Sequence, residues 1–232
     1  MMGTIKAVFF DLDHTLWDFE ANSRQTISEL YHRYGLETKG VVNVSDFIRV
    51  YERINHDMWE AYSKGMIAKE HLRKGRFAHT LDHFGIHDDE LAECLAEYYV
   101  MESPVKTHLF PFVHEILGYL SDRVPMALIT NGFHEVQRVK VRESRLDHYF
   151  DHVLISEQIG FKKPHQAIFL HAASLCAVPV DQCLMVGDNL DTDIAGALDA
   201  GMQACLFDPN GIHEPNARYS KVACLSELQG FL

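Results

Sequence analysis

Short apolar runs that break off at polar clusters are the feature that most restricts how this sequence can fold. The first, Ile5 to Phe10, is rich in β-branched and aromatic residues and stops at Asp11. A run this short, apolar at successive rather than alternate positions, reads as a strand buried on both faces. Similar runs recur at 125–129, 153–155, 183–186 and 203–207, and helical patterns lie at 113–120, 134–144, 165–174 and 191–200. Strands alternating with helices predict right-handed βαβ units. The expected fold class is therefore α/β, a Rossmann-like, doubly wound parallel sheet with helices on both faces.

The stretch 17–103 breaks that rhythm. It has no strand-like run between turn signals, but Phe47, Val50, Tyr51, Ile54, Met58 and Tyr62 recur every three or four residues and mark one helix face. Leu91, Cys94, Leu95 and Tyr98 do the same. The expected organisation is an α/β domain from 1–16 and 104–232, interrupted by an all-helical insertion over 17–103.

Composition narrows the partners. The formal charge is −12, and the Lys and Arg residues form no cluster. Such a surface repels nucleic acid and anionic lipid. No apolar run approaches the roughly 20 residues of a membrane span, and the N-terminus lacks the features of a signal peptide. The five cysteines contain no C-x-x-C pair and none sits in a cationic setting, which suits a reducing cytoplasm rather than a disulfide framework. His79, His83 and His87 share helical spacing, but no Cys or acid pair completes a zinc site around them.

In open parallel sheets ligands bind beyond the carboxyl ends of the strands, and four strand ends here carry unusual polar residues. Asp11-Leu12-Asp13-His14-Thr15 follows the first strand. Two carboxylates at i and i+2 can hold a divalent cation, supply a nucleophile and a general acid/base, or merely cap a turn. Thr130-Asn131-Gly132 follows the second and offers a hydroxyl, an amide and close backbone approach to an oxyanion. Lys163 precedes Pro164 and is held extended by it. Gly187-Asp188-Asn189-Leu190-Asp191-Thr192-Asp193 puts three acids at a strand-to-helix junction, more than helix capping requires.

In this order and placement, Asp-x-Asp-x-Thr, Thr-Asn, Lys-Pro and Gly-Asp-x₄-Asp resemble the motifs of the haloacid dehalogenase-like hydrolases. The helical insertion resembles that superfamily's α-helical cap. The resemblance implies a magnesium-dependent phosphatase, with manganese as a possible substitute. Asp11 is then the nucleophile and a metal ligand, Asp13 the acid/base with a carbonyl on the metal, and Asp188 a further metal ligand. Thr130, Asn131 and Lys163 bind the phosphoryl group, Asp193 and Asn189 support them, and Asp191 gains no role. The two acids should have proton affinities set apart, that of Asp13 above that of Asp11.

Asp13 argues against a dehalogenase, whose halide leaves without a proton, and no cap lysine is marked as a phosphonatase Schiff base. A β-phosphoglucomutase-like mutase shares the same core motifs. Finer segments, 59–65, Gly75-Arg76-Phe77, 130–133 and 156–160, are similar to the noncanonical pyrimidine nucleotidase branch. They imply nucleoside 5′-monophosphates as substrates and a cytoplasmic monomer or homodimer. Phosphatases of sugar phosphates or phosphoglycolate are the nearest alternatives. Phe19, Trp59, Tyr62 and Arg76 are the expected substrate-selecting residues, with Trp17 and Phe77 as further rings able to stack on a base or to build the cap's own core.

Overall fold

The structure, a computed structural model, describes residues 4–231. Strands β1 (Ala7–Phe10), β2 (Met126–Thr130), β3 (His152–Ile155), β4 (Cys183–Gly187), β5 (Gln203–Phe207) and β6 (Ser220–Val222) form one sheet in the order β3-β2-β1-β4-β5-β6. Every neighbouring pair is parallel. The chain thus winds outward from β1 in both directions, and the switch point lies at the ends of β1 and β4.

Period-two alternation explains why the central strand is apolar throughout. Val8 and Phe10 pack with Val113, Ile116 and Leu117 of α5 (Val113–Ser121) and with Val141 of α6 (His134–Glu143) on one face. Ala7 and Phe9 pack with Ile168, Phe169 and Ala172 of α8 (Gln166–Leu175) on the other. Each phenylalanine is fully buried, which stabilises the fold by roughly 1.5–3 kcal/mol apiece. A short helix, α7 (Ser156–Ile159), follows β3.

Glu20–Ser103 forms a second compact unit. Its helices are α1 (Phe19–Arg33), α2 (Val44–Ser63), α3 (Lys69–His83) and α4 (Asp89–Glu102). Asn43 caps α2 by accepting the Ser45 N–H at 2.8 Å, and Asp88 caps α4 by accepting the Leu91 N–H at 2.9 Å. Phe47, Val50, Tyr51 and Met58 are the buried face of α2, as their spacing predicts. The core of this unit gathers Ile27, Leu30, Phe47, Tyr51, Phe77, Leu95 and Tyr99. Among the described residues no helix is long and apolar enough to cross a membrane.

Three features depart from the sequence reading. A sixth strand, β6, extends the sheet; its three residues, Ser-Lys-Val, lie at the edge and are too short and polar to stand out. The helical pattern at 191–200 is two pieces, a π-helical turn at Leu190–Ile194 and then α9 (Ala195–Asp199). Trp17, Asp18 and Phe19 go with the α/β unit rather than with the helical one. Trp17 is wholly buried in the sheet's core cluster.

Two glycines separate packing that can yield from packing that cannot. A Cβ on Gly75 would meet the terminal methyl of Met58 at 2.7 Å, a flexible end that can move. A Cβ on Gly196 would meet the Phe169 ring at 2.6 Å and the Pro164 Cα at 2.8 Å. Gly75→Ala is expected to be neutral or stabilising by up to about 1 kcal/mol, since it removes a glycine from a helix interior. Gly196→Ala should destabilise by about 1–3 kcal/mol. Denaturant midpoints of the two variants check both.

Candidate active site

The backbone pairing of β1 with β4 runs one residue past the strand, because the Asp11 N–H donates to the Val186 carbonyl at 2.9 Å. The chain then turns sharply. The N–H groups of Leu16 and Trp17 both donate to the Leu12 carbonyl, and His14 takes a left-handed φ of 64°. Asp11 and Asp13 therefore do not continue a strand side by side. Each reaches a lysine of its own.

Lys163 Nζ lies 2.5 Å from Asp11 Oδ1 and 2.6 Å from Asp193 Oδ1, all three side chains being buried. Asn131 fixes that lysine from behind: its Oδ1 accepts the Lys163 N–H and its Nδ2 donates to the Lys163 carbonyl, both at 2.9 Å. Both polar ends of the Asn131 side chain are thereby engaged with the Lys163 backbone. Asn189 is a cap, its Oδ1 accepting the N–H groups of Asp191 and Thr192. Asp193 also accepts the Asn189 N–H through Oδ2 at 3.2 Å. Gly187 makes room for this acid, because a Cβ there would sit 2.3 Å from Asp193 Oδ2.

Asp11, Asp188 and Asp193 can bring one oxygen each within 4.8 Å of one another. Thr15 Oγ1 donates to Asp188 Oδ1 at 3.1 Å and orients it. Burial first, and then the neighbouring acids Asp193 and Asp188, hold the Asp11 carboxyl well above its ordinary range despite Lys163. Burial and Asp193 push Asp188 up to about 6. For Lys163, burial works against the charge, but Asp11 and Asp193 outweigh it and raise its proton affinity. Three carboxylates around one ammonium leave an excess of negative charge made of hard oxygen donors. That donor set fits a divalent cation such as magnesium, which Asp11 and Asp188 would hold with Asp193 at its flank.

Asp13 has the opposite environment. Lys140 Nζ lies 2.5 Å from its Oδ1, and Gln137 Nε2 donates to its Oδ2 at 2.8 Å and to Thr130 Oγ1 at 2.6 Å. The Lys140 ammonium is buried, 4.0 Å from the centroid of the Trp17 ring, whose indole N–H donates to the Lys106 carbonyl. Burial alone would raise the Asp13 carboxyl, but Lys140 and Gln137 overcome it and hold the group below its ordinary range. The expected ordering of the two acids is thus reversed in the free protein. Gln137 and Lys140 were missed in the sequence, and Thr15, part of the first motif, was given no role there. The signal for the first two was a Gln and a Lys three apart on the buried side of the helix that follows Thr130.

Of the expected selecting residues, Phe19 is half-buried against His14 and Trp17. Trp59 and Tyr62 stand edge to face on α2, ring centroids 5.7 Å apart and partly exposed. Arg76 is 5% exposed. Trp17 and Phe77 are wholly buried, so neither presents a ring for stacking, as one reading had allowed. Cys183 and Cys205, pushed up to about 12 by burial, are inert thiols.

The sequence matches the family model described as a haloacid dehalogenase-like hydrolase over residues 5–201. It is 29% identical over 228 residues to the pyrimidine 5′-nucleotidase YjjG of Escherichia coli K12, covering 97% of this chain and 96% of that protein. To the pyrimidine 5′-nucleotidase PynA of Streptococcus pneumoniae it is 30% identical over 208 residues, covering 88% and 84%. The crystal structure of YfnB of Bacillus subtilis, a putative hydrolase of the same family bound to magnesium, superposes with a TM-score of 0.85 at 24% identity over 98% of both chains.

Two outcomes are expected from this geometry. Lys140→Met should lower turnover by roughly 10²-fold or more, the scale of a disabled acid/base, with a smaller change in KM; steady-state kinetics check it. Asp188→Asn removes one of the crowded charges, so without metal it should melt at a higher temperature than the unsubstituted protein. Added magnesium should reverse that order, and thermal melts with magnesium and with EDTA check it.

Proposed function

Because the chain belongs to the haloacid dehalogenase-like hydrolases, we propose that it is a magnesium-dependent phosphomonoesterase of the cytoplasm that hydrolyses pyrimidine nucleoside 5′-monophosphates through a phosphoryl group carried on Asp11. The observation that carries the chemistry is the division of the two acids between two lysines. Asp11 and Lys163 are joined beside Asp188 and Asp193, and Asp13 is held apart by Lys140 and Gln137. The substrate follows from the likeness to the two pyrimidine 5′-nucleotidases.

A carboxylate attacking a phosphoryl group meets strong like-charge repulsion. Lys163 offsets part of it and Thr130 binds a phosphoryl oxygen, so that Asp11 is aligned with the phosphorus. A bound magnesium ion would supply the remaining charge neutralisation. An Asp11 oxygen forms a bond to phosphorus while the bond from phosphorus to the nucleoside oxygen breaks. That oxygen takes the proton of Asp13. The free protein holds Asp13 ionised, but negative charge arriving beside it raises its proton affinity and lets it enter the step as an acid. The same carboxylate then accepts a proton from water as the water oxygen attacks phosphorus. The bond to Asp11 breaks and inorganic phosphate leaves.

Phosphate release from UMP, CMP, AMP, glucose 6-phosphate and phosphoglycolate, with magnesium and with EDTA, tests the reading. The expected result is metal-dependent release with UMP or CMP preferred, weaker release with manganese in place of magnesium, and none from Asp11→Asn. Clear turnover by Asp11→Asn would defeat the covalent route. A preference for sugar phosphate or phosphoglycolate would keep the chemistry and defeat the substrate.

A further inference from the structure

Gln137 lies on the buried side of α6, wholly closed to solvent, and its amide touches two groups at once. Nε2 donates to Asp13 Oδ2 at 2.8 Å and to Thr130 Oγ1 at 2.6 Å, so both of its N–H groups are engaged. The other end of the amide is sealed: Oε1 is buried without a hydrogen-bond partner. Turning the amide over would bring Oε1 against the Asp13 carboxylate, which has no proton to give when ionised. The backbone makes way for this arrangement, because a Cβ on Gly132 would sit 2.3 Å from Gln137 Nε2.

A buried amide oxygen left unpaired is costly, and a methionine of similar volume would fill the same space without it. Packing alone therefore does not account for a glutamine here. Its two contacts do. The Thr130 hydroxyl has one proton and two lone pairs. The Gly132 N–H fills one lone pair at 3.2 Å, and Gln137 Nε2 fills the other. Among the described residues the hydroxyl itself donates to none. With both acceptor positions occupied, its proton is left for an acceptor that the protein does not supply. On the other side of the same amide, Asp13 is fixed at both oxygens, by Gln137 on Oδ2 and by Lys140 on Oδ1.

We infer that Gln137 is a positioning residue for phosphoryl transfer. By filling a lone pair of Thr130 Oγ1 and holding Asp13 Oδ2 with the same nitrogen, it aims the Thr130 proton at the transferred phosphoryl group and sets that donor in register with the acid/base. The roles of Thr130 and Asp13 rest on the proposed function. A hydroxyl free to rotate turns its proton to whatever acceptor is near. One whose lone pairs are filled is a donor before the substrate arrives, and it need not reorganise as charge develops. Gly132 belongs to the same device, since it supplies one N–H to Thr130 and the room for Gln137.

The experiment measures kcat and KM for UMP and for p-nitrophenyl phosphate in the full chain with magnesium, in Q137M, in T130V and in the double variant. Nitrophenolate leaves readily without a proton, so its ester reads the Thr130 contact with little contribution from Asp13. On that ester Q137M should lower kcat/KM by about tenfold to a hundredfold, the scale of a lost hydrogen bond to a charged group. In the T130V background the same substitution should cost about twofold or less, because no hydroxyl remains to be directed. On UMP, whose leaving oxygen needs a proton, the loss in Q137M should be larger and should fall mainly on kcat. Should Q137M fail to fold, G132A keeps the glutamine but displaces its amide, and it should show the same losses. A Q137M loss as large in T130V as in the unsubstituted protein overturns the inference, as does a Q137M or G132A that keeps its rates. If the unsubstituted protein hydrolyses p-nitrophenyl phosphate and leaves UMP intact, the nucleotide substrate falls, and the comparison on the ester still decides the part played by Gln137.

Discussion

The Lys163 ammonium, shared between Asp11 and Asp193 at 2.5 and 2.6 Å, is the interaction on which the rest of the active site depends. It gathers three parts of the chain: the end of β1, the segment before α8 and the π-helical turn after β4. Each part bends to meet it. Asn131 grips the Lys163 backbone on both sides, and Gly187 leaves the space that Asp193 fills. From the π turn at Leu190–Ile194, Asp193 turns inward to Lys163 and also accepts the Asn189 N–H, and functional sites are where such bulges tend to occur.

A buried ion pair is seldom a net gain in stability, because desolvation costs about as much as the attraction returns. The cluster here is worse than balanced. Asp11, Asp188 and Asp193 crowd one lysine, and Asp188 is pushed up to about 6 by burial and by Asp193. A fold under selection for stability alone would replace one acid with an amide. Retaining all three makes sense if the excess negative charge is matched by a cation, and the strain is then stored where positive charge is needed. The second lysine shows the complementary arrangement. Lys140 is buried over Trp17 and is matched by one carboxylate, Asp13, so that pair is close to neutral and ordered before any ligand arrives.

Much of this was legible in the sequence, for identifiable reasons. The sheet was readable because each central strand is buried on both faces, and successive apolar residues announce that burial. The edge strand β6 was not, because an edge needs neither length nor apolar faces. Asp11 and Asp188 could be picked out because each directly follows an apolar strand, whereas Thr130, Lys163 and Asp193 stood out only through the order of motifs that resembles the family. Gln137 and Lys140 could not be picked out so easily. They reach the site from inside a helix, where Gln and Lys ordinarily mean a solvated face, and only the tertiary packing of α6 turns that side inward. The proton affinities were misjudged for the same reason. Sequence position shows Asp13 beside Asp11, whereas the turn at His14 delivers it to Lys140.

Arg76 completes the pattern from the other unit. Lys163 and Lys140 are both buried cations with carboxylate partners within 2.6 Å, and their charge is settled by the fold. Arg76 is as deeply buried, yet it has one amide oxygen, three rings and no acid among the described residues. A guanidinium is more weakly hydrated than an ammonium and stacks on aromatic faces, so three rings and one amide oxygen meet a cost of burial that in Lys163 and Lys140 takes a carboxylate. In the α/β unit it is negative charge that is left over, beside three carboxylates, and a divalent cation is what would match it.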